Sequence, residues 1–205
     1  NHHHRGNDIN NDYWIVSRGR LQWDQMTLLW NIFAEKFGSN PSTPYMYSVL
    51  PLWGFLPLPS PMWRLRHHEA VVLLAKQPPA VDYFSLTTFC LWSRRRGFAF
   101  ASLGDSVNSR TIRTGPQNDL FAHVVVTEHS QSTMERIQQA IVESGLTRSA
   151  IHIAVVPDEL IDQDQWGLFE VVWRLFRFAN QTEGDIFLHS HPPVFYLKHK
   201  HEFVL

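Results

Sequence analysis

Cysteine occurs once in this chain of 205 residues, at Cys90, so no intrachain disulfide can form and the core alone must hold the fold. Lysine is restricted to Lys36, Lys76, Lys198 and Lys200; the other basic residues are arginines, which favour fixed pairs over a loose cationic surface. A dominant charge sign is missing too: 18 Lys and Arg face 19 Asp and Glu, for a formal net charge of -1 at pH 7. That balance excludes the general basic footprint of a nucleic-acid binder and a polybasic membrane anchor. No apolar run approaches the roughly 20 residues of a membrane-spanning helix, and no signal-peptide pattern is present, so the expectation is a soluble protein in an unassigned compartment. The first residue is Asn1 rather than Met, which points to a processed or partial N-terminus.

What the chain does have is apolar bulk. Hydrophobic residues make up 44% of it and charged residues 18%, a balance that suits a packed globule. Eight Trp and fourteen Phe read first as core and second as a binding surface rich in flat rings. His2, His3 and His4 are either natural or the remnant of a purification tag and enter no site argument. Asn180, Gln181 and Thr182 form a glycosylation triplet, which has meaning only in a secreted chain.

Residues 1–12 are polar and Asn-rich and read as a frayed terminus ahead of one globular domain over 13–205. Trp23, Met26, Trp30, Phe33 and Phe37 recur at steps of three and four, the spacing of a helix over about 22–37 that Gly38 and Pro41 end. The segment 41–63 carries six prolines among apolar residues and reads as an extended strap over the globule, or alternatively as a proline-rich docking ligand. Strands are predicted at 70–76, 83–92 and 97–103, the last two as a hairpin around Ser93 and Arg94 to Arg96. A long loop over 104–120 follows, then a strand at 121–127 and a helix capped by Ser132 with Glu135 and ended before Gly145. The rest is read as a strand at 151–156, a helix at 166–179 with Glu170 and Arg174 paired on its exposed side, and a strand at 185–189. The sum is an α+β fold: a mixed sheet of an antiparallel hairpin and a β-α-β-α-β half, with helices packed on it.

The chemistry-bearing residues concentrate near position 190. His189 and His191 are two apart, as are His199 and His201, so on strands each pair shares a face. If 192–198 folds the chain back, 189 pairs with 201 and 191 with 199, and four imidazoles meet on one patch. Neutral imidazoles bind transition metals, zinc foremost; three ligands with an open position would activate a water for hydrolysis, and a closed set of four would be structural. The His189-Ser-His-Pro192 segment resembles the metal-binding segment of JAB/MPN-type metalloproteases and the His-x-His of cupins. The resemblance implies two zinc ligands at His189 and His191, while the positions of the metalloprotease Ser and Asp hold Lys200 and Phe203. Glu202, Asp185 and the pair His67 and His68 are the candidates to complete the set.

Two further segments resemble known families. Gly104-Asp-Ser106 after a predicted strand resembles the first block of GDSL esterases, which implies Ser106 as nucleophile and a histidine base; the Asp three residues before His189 or His191 is absent. Arg96 to Leu103 resembles the RNP1 octamer of RNA-recognition motifs, which implies stacking by Phe98 and Phe100, although the neighbouring element is a strand rather than that fold's helix. The sequence therefore leads to a metal-binding domain with a C-terminal histidine cluster, with a serine esterase and a non-catalytic interaction subunit of a larger assembly, docked through the proline-rich strap, as the alternatives.

Overall fold

The computed structural model describes residues 13–23, 44–52, 56–104, 107–116, 119–128, 131–161 and 166–199. Its strands are β1 (Tyr13–Trp23), β2 (Tyr45–Leu52), β3 (Leu56–Ser60), β4 (Trp63–Arg66), β5 (Glu69–Lys76), β6 (Val81–Ser93), β7 (Gly97–Ser102), β8 (Val107–Asn108), β9 (Leu120–Thr127), β10 (Ile151–Val156), β11 (Trp166–Phe178) and β12 (Pro193–His199). Helix α1 (Gln131–Glu143) lies between β9 and β10, and α2 (Gln181–Leu188) between β11 and β12. The expected balanced α+β class is thereby corrected to a mostly β fold, with two α-helices among the described residues.

The main path through the sheet runs β10-β9-β5-β12-β1-β2-β11-β6-β7. Of the described pairings, β9 with β10 is parallel and the rest are antiparallel; α1 supplies the crossover that a parallel pair requires. The sheet curls on itself. Thr88 on β6 and His123 on β9, far apart along the strand order, meet across the interior at 3.1 Å. The concave face packs Leu73, Phe84, Leu86, Phe121, Val125, Phe169 and Trp173 into one core. Trp173 is fully buried and makes edge-to-face contacts with Phe84, Phe121 and Phe187 at centroid distances of 6.3, 5.7 and 5.2 Å. On the convex side of β5 and β9, Ala70, Val72, Ala122, Val124 and Val126 pack with Ile137 and Ile141 of α1. Cover on both faces explains why β5 and β9 read as continuous apolar runs rather than alternating ones.

Three elements differ from the sequence reading. Residues 166–178 form the longest ladder, with β6, and not a helix. Their polar residues fit a helical stripe, but Phe169, Val171, Trp173 and Leu175 alternate as well, and burial of that set on the concave face decides for period two. Residues 181–188 form a helix where a strand was expected, because the Asn180 side chain accepts from the N–H groups of Thr182 and Glu183. The proline-rich segment 41–63 is not a strap laid over the globule in its described parts: β2 is an interior strand between β1 and β11, β3 pairs with β2, and β4 with β11. Strands 70–76, 81–93, 97–102, 120–127 and 151–156 agree with expectation, as does α1. Ser132 is the second residue of α1 rather than its cap. The helix expected over 22–37 lies outside the described residues, apart from Gln22 and Trp23, which belong to β1.

Candidate functional site

The segment that was to fold back does not. Residues 193–199 form β12, which runs between β1 and β5 with Pro193 opposite Arg20 and His199 opposite Tyr13. Val194 and Tyr196 are buried in the core, and that burial of β-forming side chains outweighs any turn tendency of the two prolines before them. Six strand steps of about 3.3 Å separate Pro193 from His199, roughly 20 Å. His189 and His191 therefore stand at one end of the strand and His199 at the other, so these three cannot share one ion; His201 lies outside the described residues. Among the described residues no group of three or more His, Cys, Asp or Glu is placed to hold a metal.

His189 and His191 instead organise backbone. His189 caps α2 at its C-terminus: its backbone N–H and its ring Nδ1, at 2.7 Å, both meet the Asp185 carbonyl. His191 has a φ of 46° and places Nδ1 3.3 Å from the Leu21 carbonyl, while the Leu21 N–H donates to the Pro192 carbonyl at 2.7 Å. Ser106 lies outside the described residues. Phe98, one of the two rings of the RNP1 resemblance, is 63% exposed on β7, a strand at the rim of the sheet joined to β6 as an antiparallel hairpin.

Several titratable groups are buried in the fold, among them His67, a candidate to complete the metal set, and Glu170, expected on an exposed face. Burial, reinforced by the neighbouring His152, pulls His123 down to about 3, so it is neutral where its Nε2 meets the Thr88 hydroxyl. Glu69 is fully buried; desolvation raises it, opposed by the Tyr196 hydroxyl, the Arg66 N–H at 2.7 Å and the charges of Arg64 and Arg66. Beside it on the next strand, the Thr127 hydroxyl lies 3.2 Å from Nδ1 of buried His67. Glu170 is pushed up to about 8 by burial alone, and Cys90 to about 11, which keeps it an inert thiol at neutral pH. Glu170 Oε1 is buried with no hydrogen-bond partner, and neither described groove is lined by any of these groups.

The larger described groove, with a volume of about 550 Å³, lies where α2 crosses the ends of β5 and β9. Leu74, Leu120, Ile186, Phe187 and Pro192 line it, with Lys76 and Glu183 as its charged groups. Its size and apolar walls are those of a ligand-binding cleft. Ile186 is 68% exposed there, a large apolar side chain held out to solvent by a helix whose Phe187 and Leu188 are buried. The groove escapes a sequence reading because the part of its wall made by Glu183, Ile186 and Phe187 exists only once 181–188 is helical. A second groove of about 390 Å³ passes Arg18, Arg20, Val49 and Pro59.

No helix among the described residues is long and apolar enough to cross a membrane. No family model and no curated protein matches the chain. Two solved structures resemble it distantly: an uncharacterized protein from Burkholderia cenocepacia, at 13% identity and a TM-score of 0.45 over 88% of this chain and 35% of that one, and the VPA0106 protein from Vibrio parahaemolyticus, at 12% identity and 0.40 over 82% and 34%. The chain thus spans about a third of the length of the solved structures it matches.

Proposed function

We propose that this chain is a non-catalytic interaction module whose groove beside α2 receives a short segment of a partner protein. The observation that carries this reading is the apolar groove itself, with Ile186 standing exposed on its wall. Buried apolar anchors dominate binding energy at such sites, so the partner segment presents an apolar side chain to Ile186, Leu120 and Phe187. Glu183 already accepts from the Asn180 amide at 3.3 Å, and Lys76 is the cation on the lining, so an acidic residue next to the anchor is favoured.

Selection of peptides from a random library on the immobilised chain tests this directly. Enriched peptides carry an apolar residue beside Asp or Glu, and Ile186→Glu weakens them at least tenfold while leaving the melting temperature within a few degrees. Lys76→Glu reverses the preference to a basic neighbour. Selected peptides that bind Ile186→Glu and Lys76→Glu as tightly as the parent would overturn the reading.

A further inference from the structure

Strand β10 ends the sheet on one side; it is paired to β9, and its first N–H, that of Ile151, donates to the Arg148 carbonyl. Its sequence, Ile151-His-Ile-Ala-Val-Val156, has no charge, proline or glycine, and its ladder has no bulge. Those are the devices by which edge strands are kept from pairing with other chains. The opposite edge has them: β7 is offset by a bulge in its ladder with β6, and Arg94, Arg95 and Arg96 stand exposed at its turn. At β10, Val155 is 40% exposed, and Ile151 and Ile153 are only partly covered by the convex-side core.

We infer that β10 pairs antiparallel with β10 of a second copy of this chain, extending two sheets into one. Charge selects this occupant and this direction. Exposed Arg148 opens the 3-10 turn that leads into the strand, and exposed Glu159 follows the strand. An antiparallel copy sets each basic end against the other's acidic end; a parallel copy would set like against like. A two-fold axis through Ile153 pairs Ile151 with Val155 and sets the Arg148 end of each copy against the Glu159 end of the other. The three convex-side side chains of each copy then form one apolar stripe, and the concave-side His152 faces Ala154. An even register of this kind is required, because a slip of one residue would place the apolar side chains of one copy against the concave face of the other. Six residues a side make a small interface, so the dimer is weak, with a dissociation constant in the micromolar range.

Sedimentation equilibrium of the chain over about 1 to 200 µM tests the inference. The expected result is a shift with concentration from 23.9 kDa towards twice that mass. Val155→Lys puts a cation on the exposed edge without touching the core, and weakens association at least tenfold with unchanged circular dichroism. Arg148→Glu and Glu159→Arg each weaken it, and the double variant restores it, because the pairing is reciprocal across the two-fold axis. A chain that stays at 23.9 kDa throughout, a dimer indifferent to Val155→Lys, or a double variant no better than the singles would overturn it. The groove beside α2 takes no part in this pairing, so the two readings stand or fall separately.

Discussion

Glu170 and His123 are both almost fully buried, and they pull the stability of the fold in opposite directions with pH. Glu170 sits at about 8 against an ordinary 4.5, so the folded state holds a proton that the unfolded chain has released. The stability this represents is complete below pH 4.5 and is lost as pH rises through about 8, with a slope of at most about 1.4 kcal/mol per pH unit. His123 is displaced downward, from 6.5 to about 3, so its contribution is complete above pH 6.5 and is lost as pH falls through about 3. Urea denaturation across pH 4 to 9 separates the two. Glu170→Gln gains on the parent as pH rises, whereas His123→Asn, whatever its constant cost in packing, flattens the acid side. A pH-independent difference for both variants would show that neither group titrates as its burial requires. Little of this is legible in the sequence. Spacing puts Glu170 and Arg174 on one face of a helix, but in a strand residues four apart are about 13 Å apart, and it is Arg177 that finds an acid, Asp82, at 3.3 Å.

At the level of elements, legibility depends on whether the deciding force is local. Strands β5, β9 and β10 and helix α1 carry patterns that agree with their burial, and they are read correctly from spacing alone. The segment 166–178 satisfies two periods at once, and its long ladder with β6, a tertiary fact, chooses between them. Helix α2 is different, since its signal is local and present: Asn180 followed by Glu183 is a capping pattern, and the strand reading of 185–189 passes over it. Two substitutions weigh that helix. Asn180→Ala removes the cap for the Thr182 and Glu183 N–H groups and costs about 1 kcal/mol. Gly184→Ala improves helix propensity but places a Cβ 2.4 Å from Phe178 Cγ, so it destabilises by about 1–3 kcal/mol instead of stabilising. Thermal melts of both variants check the pair; a Gly184→Ala chain as stable as the parent would mean that Phe178 yields freely. The histidine cluster fails at this same level. The residue spacing is right, but 193–199 is a strand rather than a reversal, and no spacing argument holds when the element beneath it changes.

For the molecule as a whole, the sheet order puts β1 in the interior, with β12 on one side and β2 on the other. A frayed end is legible for residues 1–12, but nothing in the composition of 13–23 announces a strand whose partner lies near position 196. Removing residues 1–23 therefore strips an inner strand and leaves β12 and β2 without a shared neighbour. The truncated chain is expected to lose its cooperative thermal transition and near-ultraviolet circular dichroism; retention of both would show that the sheet recloses without β1. Pairings such as Tyr13 with His199 also give the fold a high contact order, so refolding of the intact chain, followed by tryptophan fluorescence, belongs to the slow class of milliseconds to seconds or longer.

The interior place of β1 bears on how the protein is made. A ribosome adding 5–20 residues per second needs roughly 10–35 seconds after completing β1 before it has synthesised β12. Through that interval one flank of β1 and one flank of β5 have nothing to bond to, and both strands are vulnerable to pairing with nascent neighbours on the same messenger. Yield in a cell is thus governed by how well those two flanks are shielded during translation, and slowing initiation so that ribosomes are spaced further apart should raise the soluble fraction.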